Sequence, residues 1–194
     1  MTPSARQLII PNVFTLVVVI TLHQGLGALL WPYWIQSVII GWYARKRMLE
    51  LNHFTTDGFT SNNRQVPATE AGKRSTAGFF VFHYGFFHAG YFLFIARLEP
   101  ISSLRDTLLL VACGISFVLA QRKTYAAQHA ADLAGEPNLG TLMFQPYLRI
   151  VPMHLTIVLA PKDGGMVAMV FFVALKTAAD VLFDHIDRRI AVNA

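Results

Sequence analysis

The chain has 194 residues, of which 54% are hydrophobic and only 14% charged, and its formal net charge is +5. Soluble domains carry about 25% charged residues. This composition and a mean hydropathy of +0.46 therefore exclude a disordered chain, a coiled coil and an ordinary soluble enzyme, and point to a membrane-embedded protein. A single cysteine, Cys113, excludes a disulfide framework and any multi-cysteine metal site.

A bilayer span needs roughly 20 mostly apolar residues, and six stretches approach that length. The first, 8–24, contains Thr15-Leu16-Val17-Val18-Val19-Ile20. It lacks a strongly basic start, and no small-residue cleavage site is followed by a soluble domain, so it reads as a retained anchor. The second, 26–43, follows a tight turn at Gly25 and Gly27. Residues 51–75 are rich in Asn, Thr and Ser without helical periodicity, and read as a flexible cytoplasmic loop. The third and fourth spans are 76–94 and 104–120, and the alanine-rich stretch 124–134 reads as a short surface helix. The fifth, 142–160, carries Pro146 and Pro152. The sixth, 166–186, follows the turn Pro161-Lys162-Asp163-Gly164-Gly165. These breakers make helical hairpins of spans one and two and of spans five and six. The expectation is an all-α membrane protein, a six-transmembrane helix bundle with short loops, in one domain over 1–194. The alternative is four or five spans with a re-entrant fifth.

Lysine and arginine bias sets orientation. With both termini cytoplasmic, one side holds Arg6, Arg45, Lys46, Arg47, Arg64, Lys73, Arg74, Arg122, Lys123, Arg188 and Arg189. The other holds Arg97, Arg105 and Lys162. Eleven against three predicts a multi-pass protein of a bacterial inner (plasma) membrane, with both termini inside. A basic rim beside anionic headgroups accounts for the net charge, so the partner is the lipid bilayer and no nucleic acid is invoked.

Ionisable residues within a span cost about 2.5–3.5 kcal/mol each on insertion scales, so they need partners or a use. Gln36, His83, Arg149 and Lys176 come from four different spans, and each falls about 10–15 Å from the cytoplasmic end of its helix at 1.5 Å per residue. His154 lies deeper, at about 18 Å. His83 and His88 are five apart and point about 140° away from each other, so they do not share one ion. His88 shares its face with Tyr84 and Tyr91, which suggests a His–Tyr hydrogen bond. Lys176 and Asp180 are four apart and meet on one face, as an internal salt bridge or as part of a proton or anion path. Gly78, Gly85 and Ala89 form a small-residue stripe suited to close helix packing. Pro152 frees a carbonyl near Leu148 and opens the fifth span between Arg149 and His154.

Four blocks carry a likeness: Tyr33-Trp34-Ile35-Gln36, Phe79-Phe80-Val81-Phe82-His83-Tyr84-Gly85, Pro146-Tyr147-Leu148-Arg149-Ile150-Val151-Pro152-Met153-His154, and Lys176-Thr177-Ala178-Ala179-Asp180. Together they resemble a family of small bacterial polytopic membrane proteins of unknown function. One departure is Gln36, where the resemblance implies an acidic residue. The resemblance implies a fold and a site but no reaction.

Three functions compete. The first is proton-coupled transport or binding of a small anion or lipid headgroup. Its pathway candidates are Gln36, His83, Tyr84, Arg149, His154, Lys176 and Asp180: Arg149 and Lys176 hold the anion, Asp180 balances charge, and His83 and His154 relay protons. The second is a haem- or metal-binding redox or enzymatic protein, with His83 and His154 as ligands across two helices. Arg149 and Lys176 would suit propionates, but no HExxH or haem-attachment motif occurs, and a neighbouring lysine repels a bare divalent cation. The third is a structural or accessory subunit, in which interhelical hydrogen bonds of about 0.6 kcal/mol each lock the packing. Such a chain also suits a homo-oligomer or a place in a larger membrane complex. Ligand or proton handling is preferred to a haem site.

Overall fold

The computed structural model describes residues 25–159 and 165–192, with positions 17, 20 and 21, and side chains in the last helix as far as Leu182. The first expected span and most of the turn after Pro161 lie outside the described residues. The described chain is helical: α1 (Gly27–Glu50), α2 (Glu70–Leu98), α3 (Leu104–Ala134), α4 (Leu139–Leu159) and α5 (Met166–Val192), with a small hairpin, β1 (Thr60–Ser61) and β2 (Arg64–Gln65), between α1 and α2.

The helix starts obey local chemistry. Thr69 Oγ1 accepts from the Gly72 amide at 3.2 Å, and Ser103 Oγ accepts from the Asp106 amide at 3.0 Å. Asn138 Oδ1 does the same for Thr141 at 3.1 Å. Each satisfies a donor that the first helical turn would otherwise leave without a partner. Thr69→Ala is therefore expected to destabilise the fold by about 1 kcal/mol, with Thr69→Ser close to the parent in thermal unfolding.

Three helices, α2, α3 and α4, are long and apolar enough to cross a membrane. The expected count of six is thus not reached among the described residues. In α1, Pro32, Tyr33, Gln36 and Ser37 dilute the apolar stretch. The helices also run past the expected ends. Residues 124–134 are no separate surface helix, because α3 continues unbroken from Leu104 to Ala134. Its second half is tied to the end of α1, where Tyr125 donates to Glu50 and Arg47 pairs with Asp132.

Antiparallel pairing follows from the contacts. Trp31 on α1 bonds to the carbonyl of Glu99 just past α2, while Ser37 bonds to His88. On α4, Tyr147 meets His83 and His154 meets Tyr91 of α2, so α2 and α4 run the same way. Arg45, Lys46, Arg47, Arg64, Lys73, Arg74, Arg122 and Lys123 therefore gather at one end, and Arg97 and Arg105 at the other. The core lies between α1, α2, α4 and α5, where Leu30, Phe80, Ile95, Met153 and Phe172 are buried. The opposite pattern marks α3: its one buried residue is Asp132, while Leu104, Leu108, Val111, Ile115 and Leu119 are exposed.

The flexible-loop expectation for 51–75 needs correction. Thr60 pairs with Gln65 and Ser61 with Arg64, around a two-residue turn in which Asn62 and Asn63 have φ of 50° and 60°. Asparagine tolerates this left-handed backbone, which suits the twist of a tight hairpin. The preceding segment is stitched to the start of α4: the Thr55 amide donates to Pro137, and the Leu139 amide donates to Thr55. Leu51, Thr56 and Val66 are buried. Buried Lys73 donates to the Leu51 carbonyl at 2.6 Å and meets Glu70 at 2.7 Å.

The small-residue stripe also packs differently from expectation. Gly78, Gly85 and Ala89 are exposed, and a methyl group on Gly78 or Gly85 would meet nothing within 4 Å. The glycine that sets the α1–α2 spacing is Gly41 on α1. A methyl group there would lie 2.4 Å from Tyr84 Cε1.

Candidate functional site

Tyr33 stands at the centre of the polar groups. Buried on α1, it donates its hydroxyl to the backbone carbonyl of Arg149 on α4. That carbonyl adjoins the one that Pro152 deprives of its helical donor, so the tyrosine supports α4 where the proline weakens it. Thr156 Oγ1 adds a bond to the Pro152 carbonyl at 2.8 Å, and α4 runs unbroken through both prolines. The Tyr33 ring packs edge-on against Phe172 of α5. Lys176 Nζ lies 5.6 Å from the ring centroid.

Lys176 and Asp180 form the ion pair expected from their spacing, at 2.6 Å, both largely sheltered. The Arg149 and Asp180 charges are within electrostatic reach of the Tyr33 hydroxyl, and Arg149 is also within reach of Tyr84. The structure thus brings Arg149, Lys176, Asp180 and Tyr84 together around Tyr33. Gln36 is half-buried on α1, and among the described residues no hydrogen bond joins it to this group.

The histidines go to separate partners. His83 Nδ1 is 2.9 Å from the Tyr147 hydroxyl, and its ring stacks on Phe79. His154 Nδ1 is 3.0 Å from the Tyr91 hydroxyl, on an exposed part of α4. His83 and Tyr91 are eight residues apart on α2, about 12 Å along its axis, so the two histidines sit at different levels. The alternative metal pair, His83 with His154, is therefore set apart along the bundle, each Nδ1 facing its own tyrosine. Among the described residues, no group of three or more His, Cys, Asp or Glu side chains could hold a metal ion.

His88 is buried, and its role differs from the expected His–Tyr side-chain bond. Its Nδ1 is 2.9 Å from the Tyr84 carbonyl, its Nε2 is bonded to Ser37 Oγ, and its ring stacks on Tyr84 at 4.2 Å. A backbone carbonyl only accepts, so Nδ1 carries the proton, and the single Ser37 hydroxyl proton faces both Nε2 and, at 3.3 Å, the Trp34 carbonyl. The Tyr84 hydroxyl donates to the Ser37 carbonyl at 2.9 Å, and Trp34 Nε1 donates to the His88 carbonyl at 2.9 Å. Ser37, Tyr84 and His88 form a closed lock between α1 and α2.

At the basic end of the bundle, α1, α3 and α4 leave a polar cleft of about 50 Å³. Arg47, Tyr43, Gln121, Gln128, Gln145 and Arg149 line it. Arg47 is held by Asp132 through two bonds of 2.7 and 2.8 Å. Sequence reading selected Arg149 but missed the glutamines, which look unremarkable until α3 is seen to continue past Gln121.

No curated protein and no solved structure matches the chain. A family model does match, over residues 1–193, and it is described as a family of unknown function, DUF6498. With nearly its whole length covered, the chain belongs to that family.

Proposed function

We propose that this is a six-helix, multi-pass protein of a bacterial inner membrane, with both termini cytoplasmic, which binds a small anion or lipid headgroup at its cytoplasmic rim. The apolar exterior of α3 supports membrane residence. A contiguous apolar face with a carboxylate turned inward suits hydrocarbon and not water. The gathering of basic residues at one end supports the orientation.

The observation that carries the binding reading is the cleft at Arg149. A guanidinium presents forked donors that match a phosphate or carboxylate, and Gln121, Gln128 and Gln145 add neutral amide donors around it. Lys176 is a weaker candidate than the sequence suggested, because Asp180 neutralises it at 2.6 Å. Proton coupling would run through the groups nearest Tyr33, with His83 and His154 as side relays to Tyr147 and Tyr91.

The test is Arg149→Gln in phosphatidylcholine nanodiscs, with retention of added phosphatidylglycerol and of inorganic phosphate read by native mass spectrometry. Loss of one charge-assisted contact should weaken anion retention about tenfold. Equal retention by parent and variant would rule the cleft out.

A further inference from the structure

A second cavity, of about 970 Å³, lies on another face of α4, between the β-hairpin and the first halves of α2 and α4. It falls at the top of the range usual for small-molecule sites, about 300–1,000 Å³. Its lining changes character with depth. The hairpin supplies a polar mouth with Thr60, Ser61, Arg64 and Gln65, and the walls below include Phe79, Met143 and Phe144. His83 and Tyr147, bonded to each other, close the far end.

Shape and charge both narrow the occupant. On α2 the lining residues Ala71, Ser75, Phe79 and His83 recur every four positions, so they form one ridge. Twelve residues at 1.5 Å each make that ridge about 18 Å long. Among the described lining residues Arg64 is the one fixed charge, and no carboxylate accompanies it. The roof is held in place: Phe59 packs so closely on Gly140 that a methyl group there would lie 2.8 Å from its ring, and the Thr55–Asn138 bridge anchors the preceding segment.

We propose that this cavity binds a single-chain anionic amphiphile, with its chain along the α2 ridge and its head at Arg64. A long-chain carboxylate and an alkyl phosphate share that chemistry. The inference goes beyond the Arg149 reading and uses a different face of α4.

The experiment titrates the full chain, in phosphatidylcholine nanodiscs, with tetradecanoate, tetradecyl phosphate and tetradecanol, against empty discs. Saturable one-to-one binding of at least one of the anions is expected, with the alcohol about tenfold weaker. Whichever anion binds more tightly identifies the source. Arg64→Gln, on the exposed hairpin, should bring the anions to the level of the alcohol. Ser75→Trp, which places an indole across the ridge, should abolish binding of all three. Arg149→Gln should leave these titrations unchanged, so this proposal and the cleft reading fail separately. Anion uptake no greater than in empty discs, or equal affinities in the parent and Arg64→Gln, would overturn the proposal even if the tryptophan variant does not fold.

Discussion

Replacing Asp132 by alanine is expected to lower the melting temperature of the purified protein by about 6–20 °C. The carboxylate is 7% exposed and receives two bonds from Arg47, whose side chain is 12% exposed. Removing one member of a buried pair leaves the other charge without compensation, at a cost of about 3–5 kcal/mol. For a chain of this size each kcal/mol moves the melting temperature by about 2–4 °C. The pair also joins the end of α1 to the end of α3, which packs chiefly on α1. Removing both charges should be milder than removing one, because an apolar pair carries no desolvation penalty. Arg47→Met with Asp132→Leu is therefore expected to recover most of the lost stability. Thermal unfolding of the two single variants and the double variant checks this. An Asp132→Ala protein that melts with the parent would show that the pair contributes nothing.

Gly41→Ala is expected to be the second most damaging change, costing about 1–3 kcal/mol by overpacking. The added methyl would sit 2.4 Å from the Tyr84 ring, well inside any real contact. The ring has no easy retreat, since it stacks on both Phe80 and His88 and its hydroxyl is held by the Ser37 carbonyl. Relief requires α1 and α2 to separate, which breaks the Ser37–His88 bond as well. Shortening the obstacle should compensate, so Gly41→Ala combined with Tyr84→Leu should lose less than the two single changes added together. Gly78→Ala and Gly85→Ala, which meet open space, should be stable or slightly stabilised in their helix. Melting curves for the three glycine variants separate packing from mere helix propensity.

Much of the local structure was legible in the sequence because it depends on neighbours along the chain. Apolar runs bounded by Gly and Pro located the helices. The four-residue spacing of Lys176 and Asp180 made their ion pair a consequence of helix geometry alone. The five-residue spacing of His83 and His88 likewise kept them on separate partners. The hairpin at Asn62-Asn63 was legible in principle, since two residues tolerant of positive φ between short polar runs are a turn signal. Its polarity concealed it, because a strand of two exposed residues has no hydrophobic alternation to notice.

What escaped the sequence depended on helix rotation and on long-range partners. An estimate of depth placed Gln36, His83, Arg149 and Lys176 in one layer. Depth says nothing about which way a helix turns, and small errors in boundary and pitch accumulate into a different face. Hence Gln36 stands apart, while Tyr33, three residues earlier and almost one turn away, holds the carbonyl of Arg149. The small-residue stripe failed for the same reason: a glycine shows where a neighbour could approach, and only the packed partner shows where one does.

The sequence by itself determined the helical class and the approximate places of the described helices, though not their ends, because hydrophobic runs and helix breakers act locally along the chain. The tertiary structure alone decided which polar side chains meet, with Tyr33 at Arg149, Asp132 at Arg47 and the hairpin over the α2 ridge. The first two pairings join residues 116 and 85 positions apart, and the energies of all three depend on burial and angle, which exist only once the helices have packed.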